Sequence, residues 1–330
     1  DDRHGGERIQ DRHKKKLLRR AVEQYKAIKG MPKSTLCELL GISRQKYYRA
    51  CWTEVKSKAR ATEVISLIHQ ERQYQPRVGV RKLYFMLKPR LRELHVGRDM
   101  LFSIMRANHM LVKPIRSYQT TTNSHHRFRK HRNLIADMEI TRPEQVWVSD
   151  ITYIGHRNNH MYLALITDAY SKKIMGYDLS SSLGTEGSVR ALKMANSNRA
   201  YPGLPLIHHS DRGIQYCSDI YQKRLRRYGI TTSMTESYDP YANAVAERVN
   251  GILKQEFTLE DYNYPIEIMR KIIADAISIY NQRRPHCSCQ LLTPEMMHRQ
   301  NKIKIKVYKK SHQRGTPLMR QENVLILSNK

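Results

Sequence analysis

Acidic residues are scarce in this chain: 30 aspartates and glutamates stand against 59 lysines and arginines in 330 residues, a formal net charge of +29. Solubility asks for far less, so the excess points to a polyanionic partner. Nucleic acid is favoured over a membrane surface because no amphipathic basic helix stands alone. An apolar run long enough to span a bilayer is missing, as is a signal peptide, so a cytoplasmic, nucleoid-associated protein is expected. The five cysteines, Cys37, Cys51, Cys217, Cys287 and Cys289, are odd in number and irregularly spaced. That fits reduced thiols and excludes a disulfide framework. No Cys-x-x-Cys occurs, and His286-Cys287-Ser288-Cys289 with His298 is a weak zinc pattern, because Cys-x-Cys has no second spaced pair. Zipper heptads are absent too. The first residue is Asp1, not Met, which points to a fragment or a processed chain.

Three of the few acids sit in unusual company. The run from Gln145 to Ile154 is apolar at alternating positions of both parities, as in a strand buried on both faces, and Asp150 lies inside it. An ionised carboxylate there is costly unless a cation or a proton neutralises it. Leu206 to His209 reads as a second short strand, and Asp211 follows at its end, where Arg212-Gly213 starts a tight turn. Strand ends of this kind are where open α/β sheets place site residues. Glu247 lies in a helical pattern from Ala242 to Phe257, with Ala244, Ala246 and Gly251 keeping its surroundings small. The 35 residues between Asp211 and Glu247 suffice for a turn, a helix, a strand and a loop that return Glu247 to Asp211. Three converging carboxylates would hold two divalent ions, and hard oxygen ligands favour Mg2+ or Mn2+ over zinc. Asp168, at the end of the apolar run Met161 to Thr167, is instead read as the opener of the turn Asp168-Ala169-Tyr170-Ser171.

The strings VWVSDITYI, YLALITDAYSKKIMGY, HHSDRGIQYCS, SMT, NAVAERVNGILKQEF and YNQRRPH, in that order, resemble the OrfB-type transposases of the third insertion-sequence family, within the retroviral-integrase superfamily of DDE recombinases. The resemblance covers residues 62 to 298. It implies an α/β RNase H-like integrase catalytic core behind α-helical helix-turn-helix modules, and maps the family's acidic triad onto Asp150, Asp211 and Glu247. It implies further a copy-out, paste-in route through a circular intermediate, and a first-reading-frame partner protein that commonly supplies a separate helix-turn-helix and a zipper. The paired His/Cys zinc module of retroviral integrases is missing.

The expected order is a basic, partly disordered leader (1–30), a helix-turn-helix (31–58), a second helical module (59–112), a basic linker (113–142), the catalytic core (143–262), a helix packing on it (263–300), and a basic tail able to form a small β-hairpin (301–330). In STLCELLGISRQKYYRACW, Ser34 to Trp52, Ser34 is expected to cap one helix, Gly41 to break it, and Ser43 to cap a second that offers Arg44, Gln45, Lys46 and Arg49 to a major groove. Residues 61 to 108 read by periodicity as three packed helices, and the resemblance makes them a helix-turn-helix module. The linker carries Arg127, Arg129, Lys130 and Arg132 with no acid between Lys113 and Arg132, and is expected to track phosphates. Lys254, two helical turns after Glu247, and Arg283 and Arg284, after the long helix from Ile266 to Tyr280, complete the expected DNA-facing set.

The reading that follows is a DDE transposase acting on double-stranded DNA, both insertion-sequence ends and target, as a homo-oligomer. Three intact acids argue against a non-catalytic regulator, and sequence-reading helices argue against a structure-selective nuclease of RNA–DNA hybrids. With about six to ten phosphate contacts, DNA affinity should fall by roughly 10³ to 10⁵ between about 50 and 200 mM salt, read by fluorescence anisotropy; a flat salt profile contradicts this electrostatic footprint.

Overall fold

A computed structural model of the chain describes residues 21–25, 30–113, 131–136, 138–155, 160–235 and 244–304. The expected tail hairpin, most of the leader and residues 114–130 of the linker lie outside them.

After a helical stretch at residues 21–25, the helical part continues with α1 (Lys33–Leu39) and α2 (Arg44–Tyr74). Gly41 breaks the chain as expected: at φ +63 it lets the Ile42 amide reach back to the Cys37 carbonyl at 2.8 Å. Ser43 caps α2, its hydroxyl accepting from the Lys46 amide at 3.2 Å. Two expectations change here. Ser34 lies inside α1, whose N-cap is Pro32. The helices expected around Trp52 and Ala61 to Gln73 are one continuous 31-residue helix, because no glycine or proline interrupts the chain between Arg44 and Tyr74. The boundary drawn at residue 58 therefore falls in mid-helix.

Val64 and Ile68, on the far half of α2, pack with Leu83 of α3 (Val80–Met86), Leu91 of α4 (Lys88–Glu93), and Leu101 and Met105 of α5 (Arg98–Ala107). Pro89, expected in a connection, sits in the first turn of α4, where a missing amide costs nothing. Arg72 closes this cluster, its Nη2 donating to the Met110 carbonyl at 2.7 Å. At the near end of α2, Tyr47 packs with Val22, Leu36 and Cys37 in a small separate core.

The core sheet contains β1 (Val146–Ile154), β2 (Met161–Asp168), β3 (Ile174–Ser180), β4 (Ile207–Ser210) and β5 (Thr231–Met234), in the order β3-β2-β1-β4-β5. The first three form the expected antiparallel meander, and β4 and β5 run parallel to β1. This mixed sheet, with helices on both faces, is the RNase H-like layout. Alternation along β2 shows why its sequence is apolar at both parities. Leu163 and Leu165 face α9 (Ala244–Glu256) and α10 (Ile266–Gln282), whereas Ala164 and Ile166 face α6 (Thr185–Ser197) and α8 (Asp219–Arg227). Gly176 lets α6 lie directly on β3: a Cβ there would stand 2.2 Å from the Ala191 carbonyl oxygen. The described end of the linker covers the β5 edge, with the Met234 amide donating to the Arg132 carbonyl at 3.2 Å and the Leu134 amide to Ser233 Oγ at 2.9 Å.

Two buried polar clusters join segments far apart in sequence. Asp168 opens its turn as expected, accepting from the Ser171 amide and hydroxyl, both at 2.7 Å, and it also takes the Glu144 amide at 2.7 Å. Glu144 accepts from Arg199 Nε at 3.0 Å and the Ala200 amide at 2.6 Å. His298, at the end of α11 (Pro294–His298), reaches both acids, so the residue of the zinc pattern serves a carboxylate network. Burial alone would lower the His298 pKa, but its bonds to Asp168 and Glu144 outweigh that and raise it.

The second cluster fastens the helical part to the core. Glu256, the last residue of α9, takes Arg284 through two bonds of 2.8 Å and Lys82 through bonds of 2.8 and 2.9 Å, while the Arg77 amide donates to its carbonyl at 3.1 Å. Burial alone would raise the Glu256 carboxyl, yet Arg284 and Lys82 hold it down to about 2. Glu256→Gln leaves two buried cations without their counter-ion and should cost about 3 to 5 kcal/mol. Because the folded pKa is depressed, that advantage of Glu256 exists above its unfolded value of 4.5 and disappears as pH falls through about 2. Urea unfolding of both proteins should therefore show a gap that closes over that window; a pH-independent gap contradicts the ion cluster.

Candidate active site

Register brings the first two acids together. β1 and β4 pair in parallel up to Ser149 opposite Ser210, so Asp150 and Asp211 are the next residues on neighbouring strands, whose axes lie about 4.8 Å apart. β4 ends there because Asp211 turns the chain: its Oδ1 accepts the Gly213 amide at 3.0 Å. A short helix, α7 (Ile214–Cys217), then leads into α8. Asp150 is half-buried, and each of its oxygens has one donor, the Ile151 amide on Oδ1 at 2.9 Å and Asn250 Nδ2 on Oδ2 at 2.7 Å. Asn250 belongs to α9, so that bond lays α9 against β1 at the level of Asp150. Glu247 lies one turn earlier in α9, exposed, on the side of the helix that carries Asn250.

Electrostatics agree with that placement. Burial pushes the Asp150 carboxyl up, the charge of Asp211 pushes it further, and Glu247 adds to it, to about 7 against an ordinary 3.8, despite the two hydrogen bonds that favour its anion. Acids that repel one another so closely favour taking up a proton or a cation. They do not form a finished cage: among the described residues, no three His, Cys, Asp or Glu side chains stand so that they would hold a metal ion as they are.

The neighbouring histidines are structural. His208 Nε2 meets Ser149 Oγ at 2.6 Å and Tyr221 OH at 2.8 Å, and His209 Nδ1 meets Ser233 Oγ at 2.9 Å. Burial, with His209 adding to it, pushes His208 down to about 3, so it stays neutral beneath the acids.

The expected DNA-facing residues divide. Arg44, Gln45, Lys46 and Arg49 are all exposed at the start of α2, and Arg132 is exposed beside β5. Arg127, Arg129 and Lys130 lie outside the described residues. Lys254 is paired with Glu260 at 3.1 Å and only 14% exposed. Arg284 is corrected: it is buried on Glu256, and a guanidinium so enclosed presents nothing to DNA. Arg283 stays exposed, its head over the Tyr74 ring at 4.0 Å and on Glu71 at 3.1 Å. Arg283 ties α2 to the core, whereas Arg284 shares Glu256 with Lys82 of α3. Asn250 and Glu256 were missed in the sequence, although Asn250 lies three residues after Glu247, a spacing that by itself puts it on the same side of the helix.

Comparison with known proteins agrees on the family. Two models described as integrase core domain match residues 140–240 and 228–294. The uncharacterized 31 kDa protein of insertion element IS600 from Shigella sonnei is 32% identical over 267 residues, 78% of this chain and 96% of that protein. Transposase InsF of insertion sequence IS3fB from Escherichia coli K12 is 28% identical over 278 residues, covering 81% and 93%. Among solved structures, the HTLV-2 integrase catalytic core domain in complex with magnesium aligns with a TM-score of 0.39 and 22% identity, over 51% of this chain and 99% of that one. A chain of the simian T-cell lymphotropic virus intasome in complex with PP2A regulatory subunit B56 gamma gives 0.43 and 19%, over 73% and 78%.

The raised carboxyl of Asp150 has a measurable consequence. Such a group stabilises the fold below its unfolded value of 3.8, and that contribution is lost as pH rises through about 7. With metal chelated, Asp150→Asn should melt higher than the parent at pH 8, by at least about 2 to 4 °C, the shift that roughly 1 kcal/mol makes in a domain of this size. The difference should vanish near pH 4, and an unchanged difference across that range would separate the three acids.

Proposed function

The chain belongs to the IS3 family of insertion-element transposases, and we propose that its strand cleavage and strand transfer are carried by Asp150, Asp211 and Glu247 acting on DNA. The observation that carries this reading is the β1–β4 register, in which Asp150 within β1 stands next to Asp211 at the end of β4, with the helix that bears Glu247 bonded to Asp150 through Asn250. The donor set suits hard divalent cations, Mg2+ or Mn2+, with two ions per site. Such ions supply an activated attacking oxygen and stabilise the leaving one in phosphoryl transfer.

The chain's own part is positioning. Asp150 and Asp211 are held in fixed directions by the Ile151, Asn250 and Gly213 donors, and Glu247, the exposed member, is the ligand that closes on them. In the first step water attacks the phosphodiester at the element end, the P–O bond to the flanking strand breaks, and a 3′ hydroxyl is freed. In the second that hydroxyl attacks a target phosphodiester and displaces its 3′ oxygen, so one bond forms for each bond broken and no protein ester is made.

Sequence recognition is assigned to the exposed start of α2, with Arg44, Gln45, Lys46 and Arg49 reading base edges. Arg127, Arg129, Lys130, Arg132 and Lys254 are assigned to phosphates, Lys254 after exchanging Glu260 for DNA. The chain is taken to work as a homo-oligomer on element ends and target in the cytoplasm, with a first-reading-frame partner able to complete end recognition.

Transfer assays on element-end DNA with Mg2+ test the assignment. Asp150→Asn, Asp211→Asn and Glu247→Gln should each reduce transfer by at least about 10³-fold, the scale of removing a principal transition-state contact, while binding DNA as the parent does. A variant that still transfers strands removes its residue from the site. Lys254→Ala should weaken cognate and unrelated ends alike, whereas substitutions at Arg44, Gln45 or Arg49 should weaken cognate ends selectively.

A further inference from the structure

We propose that Asn250 is the positioning residue that presents Asp150 to the cation, an inference that rests on the three-carboxylate reading above. Its side chain is buried and bridges two elements, Nδ2 donating to Asp150 Oδ2 at 2.7 Å from a helix that also carries Glu247. The Ile151 amide holds the other oxygen at 2.9 Å. One donor on each oxygen fixes the plane of the carboxylate and leaves each oxygen further lone pairs for a cation. The amide has only one sensible orientation, since an acceptor-only carboxylate requires the NH2 group to face it.

The remaining half of the amide speaks against a packing role. Asn250 Oδ1 is buried and has no hydrogen-bond partner among the described residues, an arrangement that destabilises a core and that leucine would avoid. Beside Asp150, that oxygen is placed to accept a hydrogen bond from a water of the occupied site. Because Asn250 follows Glu247 by less than one turn, the contact that fixes Asp150 also sets how near Glu247 stands to it. One helix face thus supplies a ligand and the holder of the opposite ligand.

The test is Mn2+ binding by the full chain without DNA, read from the free-ion electron paramagnetic resonance signal, for the parent, Asp150→Asn, Asn250→Leu and Asn250→Ala. Loss of a hydrogen bond that orients a ligand costs about 10- to 100-fold in metal affinity, and both Asn250 variants should show it while binding DNA in chelator as the parent does. Leucine fills the same volume without a donor. Mn2+ affinity in Asn250→Leu that falls by less than about tenfold from the parent overturns the proposal. A parent that binds no Mn2+, or binds it as well after Asp150→Asn, sinks the three-carboxylate reading instead. If neither Asn250 variant folds, parent chain labelled with 15N-asparagine decides: the Asn250 side-chain amide resonance should move when Mg2+ is added, and a resonance that stays in place overturns the proposal.

Discussion

Mutual repulsion among Asp150, Asp211 and Glu247 is the constraint around which the core is arranged. A sheet whose strands are apolar on both faces has no reason to seat one acid in β1 and to end β4 on another directly beside it. The arrangement works against the fold in the absence of a cation, as the upward push on the Asp150 carboxyl shows. What keeps it in place is the surrounding structure: β1 sits at the centre of five strands, α9 packs on it through Val249 and Leu253, and neutral His208 joins Ser149 to Tyr221 below.

The same helix links the three acids to the amino-terminal helices. α9 carries Glu247 in its first turn and Glu256 in its last, and Glu256 is shared by Lys82 of α3 and Arg284 beyond α10. Arg283 adds a stacked contact on Tyr74 and an ion pair with Glu71, both in α2. The start of α2 carries the exposed residues assigned to base reading. A single helix therefore connects that surface to the ion cluster, and the ion cluster to the helix of the third acid.

Much of this was legible in the chain. The two-parity apolar runs gave the strands, the order of strands and helices gave the mixed sheet, and Asp168 behaved as a turn opener because its flanking residues are those of a turn. Asp211 sits where the second apolar strand pattern stops, whereas Asp150 lies inside the first and Glu247 inside a helical pattern. Misreadings share one physical origin. Arg284 looks like a DNA contact because charge in a basic chain defaults to the surface, and its partner Glu256 lies 28 residues away. Lys82 and Glu256 are 174 residues apart. The continuity of α2 was missed because Trp52 to Arg60 has no apolar stripe to announce it, although nothing in that stretch ends a helix. Periodicity reports burial within an element; it carries no information about which distant charge an ion meets.

The central claim is that three carboxylates from three elements make one cation site. Anomalous scattering from crystals of the chain soaked in Mn2+ addresses it most directly. Density enclosed by Asp150, Asp211 and Glu247, with Asn250 still on Asp150, is the predicted result. Mn2+ density elsewhere on the chain, with none between those carboxylates, would contradict it.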